Sequence, residues 1–133
     1  MRKLALAIVA ASPLWVAAQG PAGAASAERG AAIVADRRLG LCLLCHAAPL
    51  PDPQFHGTLG PPLHGVGARL NAEQLRQRLV DPKRFNPDTV MPAYGPTHGP
   101  TTGLNRVAPA FAKQPVLKPE QIADVVAYLE TLK

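Results

Sequence analysis

Cys42-Leu43-Leu44-Cys45-His46 places two thiols three positions apart, with an imidazole directly after the second. The spacing suits covalent haem attachment: the thiols add to the two vinyl groups along one haem edge, and the adjacent histidine turns its ring beneath the plane to reach the iron. Other uses of a CxxC pair carry sequence requirements of their own. A dithiol redox motif belongs at the strand-to-helix turn of a βαβ unit, and no strand pattern is visible here. A zinc site needs two further ligands, for which His56, His64 and His98 are the candidates. All three lie among glycines and prolines, where exposed histidines are far commoner than ligands. Haem attachment is therefore the leading reading, with Cys42 and Cys45 as covalent anchors and His46 as an axial iron ligand.

Upstream of the motif, the chain opens like a secretory signal. Arg2 and Lys3 precede an apolar stretch, residues 4–18, which is broken by Ser12 and Pro13 and followed by small residues. A spanning helix needs about 20 unbroken apolar residues, so cleavage near residues 24–27 is expected rather than a stable membrane anchor. Ala22-Gly23-Ala24 and Ala25-Ser26-Ala27 both offer suitable small residues. Residues 1–27 then form the signal peptide and 28–133 a single domain. An export route agrees with haem attachment, which takes place outside the cytoplasm, and the expected location is the periplasm.

Without Arg2 and Lys3 the 14 Lys and Arg fall to 12, against 9 Asp and Glu, a formal net charge of +3. The positive charges are scattered, with only Arg37-Arg38 and Lys83-Arg84 adjacent, unlike the clustered footprint of a nucleic-acid binder. Large side chains are few once Trp15 leaves with the signal. A small domain of this kind needs a staple, and a buried haem supplies the missing apolar mass.

Periodicity and end signals predict three helices. Residues 28–38 form a short amphipathic helix leading to Cys42, with Gly30 leaving room for close packing. Asn71 caps a second helix, with Gln74 at its third position and Leu70 and Leu75 placed as a hydrophobic staple; Pro82 ends it at Asp81. A third runs from Pro119 to about Leu132, with Ile122, Val125, Val126, Leu129 and Leu132 on one stripe, although Lys118 is a poor cap. The stretches 47–69 and 82–117 are too rich in proline and glycine for long regular elements. Loops this long are uncommon inside a compact domain and imply either disorder or folding around something.

Apart from Met1, Met91 is the only methionine, and it sits in the loop Asn86-Pro87-Asp88-Thr89-Val90-Met91-Pro92. A thioether is a soft ligand that favours reduced iron, and opposite His46 it would fill the sixth position, as in an electron carrier. In Gly60-Pro61-Pro62, a proline carbonyl is placed to accept the Nδ1 hydrogen of His46 and fix its tautomer; Pro61 is the residue assigned that role.

This order of features, a helix, CxxCH, a GPxLxGV segment, an NPxxxMP loop and a terminal VVxYL helix, resembles the class I cytochromes c over nearly the whole mature chain. Within that class it is similar to the SoxX group, the monohaem subunits of bacterial SoxXA complexes. The more specific likeness lies in residues 81–91, in Gly103-Leu104-Asn105-Arg106-Val107-Ala108-Pro109-Ala110-Phe111, and in the ending 122–132. The resemblance implies an all-α fold in which the first and last helices cross, with Gly30 and Tyr128 at the contact, and long loops wrapped around one covalently bound haem c. It implies His46 and Met91 as the axial pair. It further implies a SoxA-like cytochrome subunit as a heterodimer partner, on which the sulfur chemistry of thiosulfate oxidation occurs, and a downstream electron-accepting cytochrome. No catalytic residue is expected in this chain, since haem consumes both thiols. Residues 93–115, an extension after the methionine loop, are expected to form part of the docking surface or a haem-covering flap. The competing expectations are a diffusible monohaem carrier unconnected with sulfur, and a haem enzyme or gas sensor with an open axial site.

Overall fold

The computed structural model describes residues 23–50, 56–95 and 115–133. Among them there are helices and turns but no strands. The all-α expectation holds. The helices are α1 (Ala27–Ala35), α2 (Val66–Arg69), α3 (Ala72–Val80) and α4 (Pro119–Thr131), with one-turn 3-10 helices at Cys42–Leu44 and Pro82–Arg84. The three long helices are those read from the sequence. The GLNRVAPAF stretch, His98 and most of the expected docking segment lie outside the described residues.

Helix α1 starts at Ser26, whose hydroxyl accepts from Arg29 N at 3.2 Å, satisfying one of the amide donors orphaned at a helix start. It stops three residues short of the expected end. The Asp36 carbonyl accepts from Leu39, Gly40 and Leu41 at 3.0–3.4 Å, and its carboxylate accepts from Arg38 N at 2.7 Å. A short side chain bonding its own neighbouring amides competes with helix continuation, and that competition closes the helix here.

Helix α3 is bounded as expected. Asn71 Oδ1 accepts from Gln74 N at 2.9 Å, Gln74 Oε1 accepts from Asn71 N at 3.0 Å, and Leu70 and Leu75 both pack into the core. The apparent defect at the start of α4 is repaired from inside the helix. A lysine side chain has no oxygen to accept with, but Gln121 Oε1 takes the Lys118 amide at 2.8 Å, one half of a capping box.

The most extensive helix pairing is α1 against α4. A methyl group at Gly30 would fall onto the Asp124 carbonyl oxygen and lie 2.8 Å from Tyr128 Cβ, so the two backbones meet where only hydrogen fits. Gly30 and Tyr128 stand at this contact. An ion pair pins the same junction: Arg29 Nε and Nη2 donate to the two Asp124 oxygens at 2.8 and 2.7 Å, and Ser26 N donates to Oδ1 at 2.7 Å. The arginine holds the nearly buried Asp124 carboxyl below the usual carboxylate range. Because the Arg29 side chain is 58% exposed, solvent screens the pair, and its main effect is to fix geometry.

Val34, Leu117 and Val125 are the most deeply buried side chains, joined by Leu75, Leu79, Ile122 and Leu129. This core sits to one side of a large cavity.

Candidate functional site

The CxxCH segment is held in shape before any ligand is considered. Cys42–Leu44 form a 3-10 turn, and the Cys42 carbonyl accepts from both Cys45 N at 3.1 Å and His46 N at 2.9 Å. Leu41, just ahead of it, has φ +58°, a left-handed conformation that costs a bulky residue roughly 1–2 kcal/mol. Hydrogen bonds from Leu41 N to Asp36 O and from Leu44 N to Leu41 O hold it there. Strain of this kind persists only where the surroundings impose it. Here it turns the chain from α1 into the cysteine segment.

Cys42, Cys45, His46, Pro61 and Met91 all line one cavity of about 810 Å³. Protein interiors seldom keep voids much larger than a water, whereas ligand sites run to about 300–1,000 Å³. The walls are mainly apolar, with Leu41, Leu63 and Leu75 among them, together with Val125 and Leu129 of α4. The charged groups in the lining, other than histidine and the thiols, are Arg69, Arg78 and Asp88. The fit to a haem is therefore good in kind. A flat apolar ring system finds apolar walls, with the thiols and the imidazole supplied by residues 42–46 and the thioether by Met91.

His46 is oriented by its neighbours. Its Nδ1 lies 2.6 Å from the Pro61 carbonyl oxygen. A carbonyl only accepts, so Nδ1 carries the hydrogen and Nε2 keeps its lone pair, the form that ligates metals. The ring rests against Gly60, where a methyl group would lie 2.5 Å from Cε1, 2.7 Å from Nδ1 and 2.9 Å from Nε2. Backbone bonds tie this loop to the motif, from Gly60 N to Cys45 O at 2.8 Å and from Leu63 N to Ala47 O at 2.8 Å.

The methionine loop is built from local polar contacts. Asn86 accepts from Asp88 N through its side chain at 3.1 Å and from Thr89 N through its carbonyl at 3.1 Å, and Thr89 Oγ1 accepts from Met91 N at 3.2 Å. Met91 is half-buried and packs against the core. Tyr94, three residues on, carries a role that its sequence position does not announce. Its buried hydroxyl donates to Gly40 O at 2.7 Å across 54 residues, joining the methionine loop to the turn ahead of Cys42. Burial pushes the Tyr94 hydroxyl well above its ordinary value, and burial likewise raises the Cys42 thiol.

Two of the alternative ligands, His56 and His64, are placed elsewhere. His56 Nδ1 accepts from Ala48 N at 3.2 Å, His64 is exposed, and neither lines the cavity. Among the described residues no group of three or more His, Cys, Asp or Glu is gathered as a metal site, which leaves the zinc reading without ligands there. Leu44, Leu59 and Val90 line the cavity yet are 51%, 71% and 74% exposed, so its mouth is apolar.

Residues 27–133 match the cytochrome c family, and the chain belongs to that family. Membership implies haem c and an electron-transfer role. Within the family the chain is SoxX-like. It is similar to a chain in the crystal structure of SoxXA from P. pantotrophus, at 39% identity over 84% of this chain and 85% of that one, with a TM-score of 0.73. The c-type cytochrome SorU from Sinorhizobium meliloti is 24% identical over 80% of this chain and 88% of its own, with a TM-score of 0.46. No match was found among curated proteins.

Proposed function

We propose that this chain is the exported electron-transfer subunit of a SoxXA-type thiosulfate-oxidising complex. In this reading Cys42 and Cys45 hold one haem c by thioether bonds, and His46 and Met91 are its axial ligands. The observation that carries the assignment is the convergence of all four side chains on one apolar cavity, with the His46 tautomer set by Pro61. When bound, the haem supplies a one-electron redox centre. The chain supplies an imidazole held at Nδ1, a thioether on a stiffened loop, and apolar walls that exclude water. A sulfur ligand favours the reduced iron and raises its potential.

Because both thiols are consumed, the sulfur chemistry falls to a SoxA-like partner, and this chain passes electrons on to an accepting cytochrome. The likeness to SoxXA supports that partner. The apolar cavity mouth at Leu44, Leu59 and Val90 suits its docking, since an apolar patch around a redox centre is covered on association and brings the two centres close.

Export and cleavage belong to the same proposal. Cleavage after Ala24 would keep Ser26, the cap of α1, and its bond to Asp124, whereas cleavage after Ala27 would remove both. The mature protein is therefore expected to begin at Ala25, and intact-mass spectrometry of the periplasmic fraction checks this.

Visible spectroscopy of the purified protein tests the ligands. The wild type should give a low-spin c-type spectrum with a far-red sulfur-to-iron band when oxidised, and Met91→Ala should lose that band. A wild type without the band, unchanged in the variant, would remove Met91 as ligand and favour an open or bis-histidine site. Copurification with a SoxA-like subunit separates the complex from a free carrier.

A further inference from the structure

His56 lies outside the cavity lining, yet its ring is held in one tautomer. Ala48 N donates to its Nδ1 at 3.2 Å. An amide N–H only donates, so Nδ1 is bare and the ring hydrogen sits on Nε2. Nε2 is buried and, among the described residues, has no hydrogen-bond partner. A buried donor left unpaired is costly, so whatever the ring contributes comes from Nδ1. Its partner needs it: Ala48 is only 2% exposed, and without Nδ1 its amide would be a buried orphan. The bond also stands at a particular place. Residues 57–63 hang on the haem-attachment segment by backbone bonds, from Gly57 N to Leu43 O at 2.9 Å, Gly60 N to Cys45 O at 2.8 Å and Leu63 N to Ala47 O at 2.8 Å. In these three the loop donates. The bond from Ala48 N to His56 runs in the opposite sense, just past His46, where the chain leaves the axial ligand. Beside it, a Cβ at Gly57 would fall on the Leu44 carbonyl oxygen and lie 2.8 Å from Cys45 Cα, so the backbone next to His56 is seated directly on the motif.

We infer that His56 is a positioning residue for His46: the bare Nδ1 of its ring takes the Ala48 amide hydrogen and clasps the chain leaving the axial ligand to the loop that carries Pro61. The inference rests on the haem reading given above. His46 is then fixed from two directions. Pro61 O holds its ring through Nδ1 at 2.6 Å, and the His56 clasp holds its backbone on the C-terminal side. Both supports belong to one loop, so they act together. With Ala48 released, the register between loop and motif rests on the three backbone bonds alone, and the His46 imidazole gains freedom to turn about its bond to Pro61. His56 does this as a neutral acceptor and not as a ligand, because with Nδ1 engaged and the hydrogen on Nε2 the ring has no lone pair to offer iron.

The test is hydrogen exchange followed by NMR on the reduced, haem-loaded protein, wild type against His56→Ala, His56→Asn and His56→Gln. Asn carries its accepting oxygen on Cγ, where His carries Nδ1, whereas Gln carries it one atom further out. The Ala48 amide and the His46 Nδ1 hydrogen should both exchange about tenfold faster in the Ala and Gln variants, the factor expected for one net hydrogen bond. Asn should bring both back close to wild type. The low-spin electron paramagnetic resonance spectrum of the oxidised samples, whose anisotropy follows the orientation of the axial imidazole, should change in the Ala and Gln variants and return with Asn. If the Ala variant does not fold, the comparison of Asn with Gln carries the test. Equal exchange in all of the proteins overturns the inference, and rescue by Gln in place of Asn does the same. Faster exchange at Ala48 alone, with His46 and the spectrum unchanged, also overturns it and leaves His56 a loop brace with no bearing on the ligand. A wild type without a low-spin haem signal removes the axial assignment and the positioning role with it, while the Ala48 rates still report whether the clasp exists.

Discussion

Gly60→Ala is the substitution that most directly tests how the axial histidine is held. The added methyl would approach three atoms of the His46 ring at 2.5, 2.7 and 2.9 Å. Real Cβ contacts do not close to such distances, so either the ring or the loop must move. The loop is fixed by Gly60 N on Cys45 O and Leu63 N on Ala47 O, both at 2.8 Å, which leaves the ring to yield. Moving it breaks the 2.6 Å bond to Pro61. The lost hydrogen bond costs about 1 kcal/mol, and overpacking adds about 1–3 kcal/mol. The sum of about 2–4 kcal/mol is a large part of the stability of a small domain. For a domain of this size it corresponds to a fall in Tm on the order of 10 °C or more. Thermal unfolding followed in the visible band measures the loss, and the same spectra should show weakened low-spin ligation. A Gly60→Ala protein that melts with the wild type and keeps its spectrum would refute the idea that Gly60 and Pro61 together position His46.

Tyr94→Phe should lose about 1–2 kcal/mol, because the buried Gly40 carbonyl forfeits its hydroxyl donor. The loss is read as a lower denaturant midpoint at unchanged slope, and an unchanged midpoint would show the bond to be dispensable. The Arg29–Asp124 pair predicts a pH dependence. The folded state holds Asp124 below the ordinary carboxylate value of 3.8, so its contribution is present above about that pH and is lost as pH falls through the depressed folded value. Asp124→Asn should therefore be less stable than wild type at neutral pH and should converge with it in strong acid. A constant gap down to the lowest pH would assign the loss to packing instead.

How much of this was legible in advance depends on the range of each interaction. The CxxCH spacing, the Asn71–Gln74 box, Pro119 at a helix start and the apolar stripe of α4 are all settled within a few residues, where chain geometry leaves little choice. Apolar periodicity does not register the early stop of α1, because that stop comes from Asp36 bonding its own neighbouring amides. Lys118 offers no accepting oxygen of its own, and the oxygen that takes its amide belongs to Gln121 inside the helix.

By itself, then, the sequence determined the helical class, the haem-attaching motif, the lone candidate thioether at Met91 and the glycine that lets α1 meet α4. Only the tertiary structure decided that Cys42, Cys45, His46 and Met91 share one cavity, that His56 and His64 lie away from it, and that Tyr94 ties the methionine loop to the turn before Cys42. The physical reason is common to all of these: contacts across tens of residues exist only once the helices have packed, and nothing in the local spacing of a tyrosine records which distant carbonyl it will meet.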